Sequence, residues 1–341
     1  MNLRKFGLII SVILLVFSVS ACGPKEVSNA GTTAGVSTDA ASTSEASSNA
    51  ASNAETSAIQ IQDDLKRTVN LRKPPEKIVP LTPTLLNLLY DVGGKASARM
   101  GDSGVAINKE AEDLEQVGHL ANINIEKLIS LKPDLVIGQI GLHERFVTIL
   151  EQNKIPVVIF KIDTYEECIA RIQTMSQIVG KEDTGRQIIK DLDQRIKAIT
   201  DKLPNEKKRI AIVYVTPQDV AVELEESIAG GAANILKFEN VAVSNTTKDM
   251  KKAPFSMEEL VAQNPDIIFL TSYAMTPEIK QKMNTVLIEN PAWKSIKAVQ
   301  AGKVFTLPPS LFAVNPVTHY DQSVEYLARL TYPEIYGNVQ E

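Results

Sequence analysis

From Ile59 onward, short unbroken apolar runs alternate with longer stretches in which apolar residues recur at helical spacing. The runs are Ile78–Leu81, Asp134–Gly138, Pro156–Phe160, Arg209–Val215, Asp266–Leu270 and Lys303–Leu307, rich in Val and Ile. Strands without polar alternation must be covered on both faces, as in a parallel sheet between helices. The predicted class is therefore α/β.

One helical stretch stands apart. From about Asp183 to Lys202, apolar side chains fall at Ile188, Ile189, Leu192, Ile196 and Ile199, and Leu203-Pro204-Asn205 stops the pattern. A helix of this size spans roughly 30 Å. It could join two lobes as a rigid strut or serve as a crossover helix within one sheet. An internal repeat favours two lobes. Asn124-Ile-Glu126-Lys-Leu128 through Pro133-Asp134-Leu-Val-Ile is echoed by Ser256-Met-Glu258-Glu-Leu260 through Pro265-Asp266-Ile-Ile-Phe, at a constant offset of 132 residues. In each copy a capping residue opens a short helix, a Pro-Asp pair closes it and a buried strand follows; Ser256 and Glu259 also fit a capping box. The expected organisation is an N-terminal α/β lobe over 59–180, an interlobe helix over 181–204 and a similar C-terminal lobe over 205–341, each with a parallel sheet covered by helices.

The first residues have a different character. Arg4 and Lys5 precede an apolar run from Phe6 to Val19, then Ser20-Ala21-Cys22-Gly23. A basic start, a short apolar core and small residues before a cut are the parts of a secretory signal, too short for a good permanent transmembrane helix. Val19-Ser20-Ala21-Cys22 resembles a bacterial lipobox, so residues 1–21 are expected to be removed and Cys22 to carry lipid. A plain secretory peptide with an incidental Cys22 is the alternative. Residues 22–58, mostly Ser, Ala, Thr, Asn and Gly, lack the apolar surface to offset their ordering entropy and are expected to form a flexible tether. With Cys22 modified, Cys168 has no partner for a disulfide; its helical spacing among apolar neighbours makes it a core residue.

The 341 residues carry a formal net charge of -5, with 44% hydrophobic and 23% charged side chains, which gives no electrostatic footprint for nucleic acid. The chain holds no nucleotide-binding glycine fingerprint, Gly-x-Ser-x-Gly elbow or His-Glu-x-x-His, and Gly230-Gly231 is too short for a phosphate loop. An enzyme is not expected.

Four segments together carry a family resemblance: Lys73-Pro-Pro-Glu-Lys-Ile-Val-Pro-Leu81, Asn124 to Gly138, Ser256 to Leu270, and Asn290-Pro-Ala-Trp293 to Gly302-Lys-Val-Phe305. In this order, behind a lipobox, the chain from Ile59 to Gly337 resembles the extracytoplasmic binding proteins of iron-siderophore, haem and cobalamin importers. The resemblance implies the class III arrangement of two lobes joined by one rigid helix. It implies a monomer held to the outside of the cell membrane through Cys22, delivering its ligand to an ABC permease dimer with its ATPase. It further implies that no cofactor is permanently bound and that the ligand is a metal complex, a ferric siderophore or haem, with a corrinoid as the alternative. Glu126 and Glu258 would pair with permease arginines, although a carboxylate just inside a helix N-terminus is also favoured by the helix dipole. A sensor head on the same fold is a further alternative, since fold does not fix function.

Ligands of open α/β sheets sit beyond the carboxyl ends of the strands. That places Thr82, Arg99, His119, His143, Arg145, Tyr273 and Phe312 as candidates for the cleft. Arg99 and Arg145 would serve an anionic ferric complex, His119, His143, Tyr273 or His319 an open coordination position, and Tyr273 and Phe312 a corrinoid. Trp293, within the closing motif, is expected in the core. No His or Cys pair stands at metal-ligand spacing, so the metal is expected to arrive already chelated.

Overall fold

The computed structural model describes residues 59–101, 105–120, 122–242 and 250–339, all within one compact unit, Ala54–Glu341. The expected signal peptide, lipidated Cys22 and tether fall outside the described residues.

The expected apolar runs form two separate sheets. In the first, Leu135–Gln139 lies between Ile78–Pro80 and Val157–Phe160, all parallel. In the second, the path runs Lys252–Pro254, Val220–Glu223, Arg209–Val215, Ile267–Thr271, Val304–Thr306, with Glu239–Asn240 beside the start of Arg209–Val215. Here parallel pairing holds only for Glu239–Asn240, Arg209–Val215, Ile267–Thr271 and Val304–Thr306; Val220–Glu223 and Lys252–Pro254 are antiparallel. The reason is local. The Thr216 N–H donates to the Asp219 carbonyl at 2.9 Å, and so short a turn returns the chain as a hairpin rather than a crossover.

Side chains along the central strands alternate between two cores, as a period of two requires. Leu135, Ile137, Ile210, Ile212, Ile267 and Phe269 enter one shared core with helices from both halves of the chain. Val136 turns to a second core on the far face of the first sheet, and Ala211, Val213, Ile268 and Leu270 to a third on the far face of the second. Trp293 is buried in that third core, as expected. Cys168 is a buried free thiol in the shared core, and burial pushes its pKa up.

The strongly periodic stretch is a helix of 19 residues, Glu182–Thr200, whose Leu192, Ile196 and Ile199 enter the shared core. It packs on the helices Tyr165–Ile178 and Tyr320–Thr331. Arg195 Nε fastens it to Asp321 Oδ2 at 2.8 Å.

The two copies of the repeat fold alike. Asn124 caps Ile125–Ser130 by accepting from the Lys127 N–H, and Ser256 caps Met257–Gln263 by accepting from the Glu259 N–H. The reciprocal capping box forms elsewhere, at Thr164 and Glu167. Each helix ends on a residue with positive φ just before the proline, Lys132 at 49° and Asn264 at 47°. The following aspartate latches the neighbouring strand: Asp134 Oδ2 accepts from the Glu76 and Lys77 N–H groups at 3.0 Å, and Asp266 Oδ2 from the Arg209 N–H at 3.1 Å. Gly230 and Gly231 lie in the buried helix Ile228–Ile235, where a Cβ on Gly230 would stand 1.8 Å from the Leu224 carbonyl oxygen. Close packing, not phosphate binding, explains them.

Candidate functional site

The residues that follow the strands of both sheets meet around a cleft. Its main cavity, of about 890 Å³, is lined by Thr84, Asn87, Asp91 and Asn108 from the first half, and by Tyr273, Ser310, Leu311, Asn315 and His319 from the second. A smaller cavity of about 250 Å³ adjoins it, sharing Thr84, Val105, Tyr273, Val314 and Asn315, and reaches Thr82, Gln139, Asp163 and Ile228. The helix Pro83–Asp91 forms one wall because Thr82, in extended conformation, caps it with Pro83 at its first position. Its Leu85, Leu86, Leu88 and Leu89 are buried, which leaves Asn87 and Asp91 to the cleft.

Side-chain links cross from one half of the chain to the other beside the cavity. Lys161 pairs with Glu167 at 2.8 Å and with Glu226 at 3.2 Å. Burial would lower the Lys161 pKa, but the two carboxylates outweigh it and raise it to about 12. Lys251 pairs with Asp163. Asn315 Nδ2 donates to the carbonyls of Ile162 and Asp163 at 3.0 and 3.2 Å, while its Oδ1 accepts from the Val317 N–H at 2.8 Å. That last bond holds Val317 at φ 43°, a costly conformation for a β-branched residue. Thr318 Oγ1 donates to Asp91 Oδ2 at 2.6 Å.

Next to the cavity lies a buried polar group that sequence reasoning passed over. Glu223 is 4% exposed, with its Oε2 unpartnered and Lys252 Nζ at 3.9 Å. Desolvation pushes its pKa up to about 7 despite Lys252, Ser227 and Thr271. The Thr271 hydroxyl beside it is buried as well. Glu223 ends a strand that did not read as one, because the run Val220–Glu223 is only four residues long.

The sequence candidates divide. Thr82, Tyr273 and His319 line the cleft, and Tyr273 is 54% exposed. Arg99 does not: it is buried beside a pocket of about 20 Å³, its guanidinium donating to the Glu112 and Met100 carbonyls. His143 is 1% exposed, with Nδ1 accepting from the Gln139 N–H at 3.0 Å. Burial lowers its pKa to about 4, although the Leu120 carbonyl opposes the shift. It braces the turn after Leu135–Gln139 and does not line either cavity. His119 ends the hairpin strand Gly118–His119, and Arg145 lies over the Phe146 ring at 4.8 Å; neither lines the cavities. Phe312 is buried edge-on against Tyr326 at 5.9 Å, and its neighbour Leu311 takes the cleft position instead. These corrections have one cause: position after a strand places a residue near the cleft, while the turn that follows decides which way it points.

Asp91, Asn87, Asn108 and Asn315 were missed. Asn87 and Asp91 sit at i and i+4 on the polar face of an otherwise buried helix, a signal the periodicity of Pro83–Asp91 contained. Glu126 and Glu258 are both exposed in the first turns of their helices. Among the described residues no group of three His, Cys, Asp or Glu could hold a metal ion, and no helix is long and apolar enough to cross a membrane.

An α/β fold with a cleft at the carboxyl ends of two sheets is a frame that can enclose a small ligand. The chain matches the family model described as periplasmic binding protein over residues 78–311, and it belongs to that family of non-enzymatic transport binding proteins. It is 25% identical over 296 residues to an uncharacterized ABC transporter substrate-binding lipoprotein of Bacillus subtilis strain 168, covering 83% of this chain and 88% of that protein. It is 26% identical over 313 residues to an Fe(3+)-citrate-binding protein of the same organism, covering 89% of each. The solved structure of Staphylococcus aureus IsdE complexed with heme shares the fold with a TM-score of 0.68 at 21% identity, covering 75% of this chain and 98% of that one.

Proposed function

We propose that this chain is the substrate-binding component of an ABC importer, capturing an iron complex such as a ferric siderophore or haem and passing it to a permease. A cobalamin-type corrinoid is the second reading. The observation that carries the proposal is the cleft of about 890 Å³, built from residues after the strands of both sheets. Such a volume suits a chelated metal rather than a bare ion. The names of relatives that bind ferric citrate, haem and vitamin B12 support the same class of ligand.

In this reading the sheets belong to two lobes, 59–180 and 205–341, with Glu182–Thr200 as the helix that limits their relative movement. Lipidated Cys22 anchors the protein outside the membrane, and Glu126 and Glu258 present two separated carboxylates to the permease. Fixed charges of this kind orient and speed an encounter more than they add affinity.

The test is calorimetric titration of the purified protein with ferric trihydroxamate, ferric tricatecholate, ferric citrate, haem and cobalamin. Calorimetry suits this chain because its one tryptophan, Trp293, is buried in the third core and lines neither cavity. Saturable one-to-one binding of at least one complex is expected. No binding by any of them rules out the capture reading.

A further inference from the structure

We infer that the cleft selects metal complexes without net negative charge and favours cationic ones, an inference that rests on the capture function proposed above. The two adjoining cavities are lined, among the described residues, by the carboxylates Asp91 and Asp163 and by no lysine or arginine. The nearby cations are committed elsewhere. Lys161 is shared by Glu167 and Glu226, Lys251 is paired with Asp163, and Arg195 binds Asp321 and the Thr318 carbonyl. The Arg99 guanidinium is spent on main-chain carbonyls outside the cavities.

Asp91 is the carboxylate with spare capacity. It is held by the Thr318 hydroxyl at 2.6 Å, and no basic side chain of the described residues pairs with it. A carboxylate accepts up to about four hydrogen bonds, so most of its acceptor sites remain for a ligand. The remaining polar lining is made of amides such as Gln139, Asn108 and Gln322, hydroxyls such as Ser310 and Tyr273, and the single imidazole of His319. An anionic complex entering this space would lose its hydration and meet carboxylates without a guanidinium fork in return. A cationic or neutral complex meets matching potential and amide partners. The large neutral-amide content and the pair of arginines expected from sequence thus point in opposite directions, and the placement of Arg99 and Arg145 decides between them.

The experiment compares a cationic ferric trihydroxamate, a neutral cyanocobalamin, an anionic ferric tricatecholate and ferric citrate by calorimetry at low and high salt. The cationic or the neutral complex is expected to bind at least tenfold more tightly than either anion. Asp91→Asn, which keeps the Thr318 hydrogen bond, is expected to weaken the cationic complex by roughly tenfold, to leave cyanocobalamin unchanged and to flatten the salt dependence. Circular dichroism of the variant checks that it is folded. Tighter binding of the tricatecholate or citrate overturns charge selection while leaving capture intact. An Asp91→Asn variant that holds the cationic complex with unchanged affinity overturns the role of Asp91. Failure of all four complexes, and of haem, removes the capture reading and this inference with it.

Discussion

Glu223 shows how a single buried group can set the response of the whole chain to pH. Its pKa in the folded state, pushed up to about 7 first by desolvation, lies above the usual 4.5 of an unfolded glutamate. Between those values the folded chain holds a proton that the unfolded chain has released, so stability falls as pH rises from about 4.5 to about 7 and then levels off. Each unit of difference corresponds to about 1.4 kcal/mol. In the Tm difference between the wild type and Glu223→Gln, where the opposite contribution of buried His143 cancels, the wild type should therefore lose ground between pH 5.5 and pH 8. In Glu223→Gln this component should vanish, with the variant gaining on the wild type at pH 8. Equal pH profiles for the two proteins would remove Glu223 from this role. None of this was legible in the sequence, where Glu223 is one acidic residue among many. Its burial comes from strand pairing with Lys252–Pro254 and from the turn into the helix Ile228–Ile235, both set by distant parts of the chain.

At the scale of elements the repeat is the informative feature. Pattern alone located both helices, their caps, the Pro-Asp stops and the strands beyond, because each signal is local: a capping side chain, a proline, a run of Val and Ile. The aspartate latch onto the neighbouring strand was not legible, since it joins residues far apart in sequence. Burial would raise the Asp266 pKa, but the bonds from Lys297 and the Arg209 N–H outweigh it and hold it low, so this latch stays charged at neutral pH. The candidate cleft was legible only in part. Residues after strands were found, yet His143 and Phe312 turned inward, and the helix wall bearing Asn87 and Asp91 was overlooked. If the first turns of Ile125–Ser130 and Met257–Gln263 are docking points, Glu126→Lys with Glu258→Lys should reduce ligand uptake by intact cells at least tenfold. Ligand affinity of the purified double variant should stay within about twofold of wild type. Uptake unaffected by both reversals would leave these glutamates with helix-dipole stabilisation alone.

For the molecule as a whole, the two sheets are separate in hydrogen bonding but not in packing. Leu135 and Ile137 of the first, Ile210 and Phe269 of the second, and Leu192 of the helix between them belong to one core. Arg195 and Asp321, Lys161 and Glu226, and Asp91 and Thr318 add polar ties across the halves. The sequence could propose two lobes from a repeat, but it could not reveal how much apolar surface they hold in common, because a core shared by helices from both halves has no periodic signature of its own.

That shared core gives the duplicated architecture a consequence for its assembly. Two halves that shield each other's apolar faces are not modules: each, made alone, exposes the part of the shared core that the other half covers, along the inner faces of the helices Pro83–Asp91, Tyr165–Ile178 and Tyr320–Thr331. Residues 59–204 and 205–341 expressed separately should each be aggregation-prone, and co-expressed they should reconstitute a soluble pair, read by size-exclusion chromatography. A soluble, cooperatively melting fragment would contradict this. The newly synthesised chain, on the same reasoning, depends on a helix near its C-terminus: until Tyr320–Thr331 has emerged and docked, the shared core stays open and the earlier sheets are held in waiting.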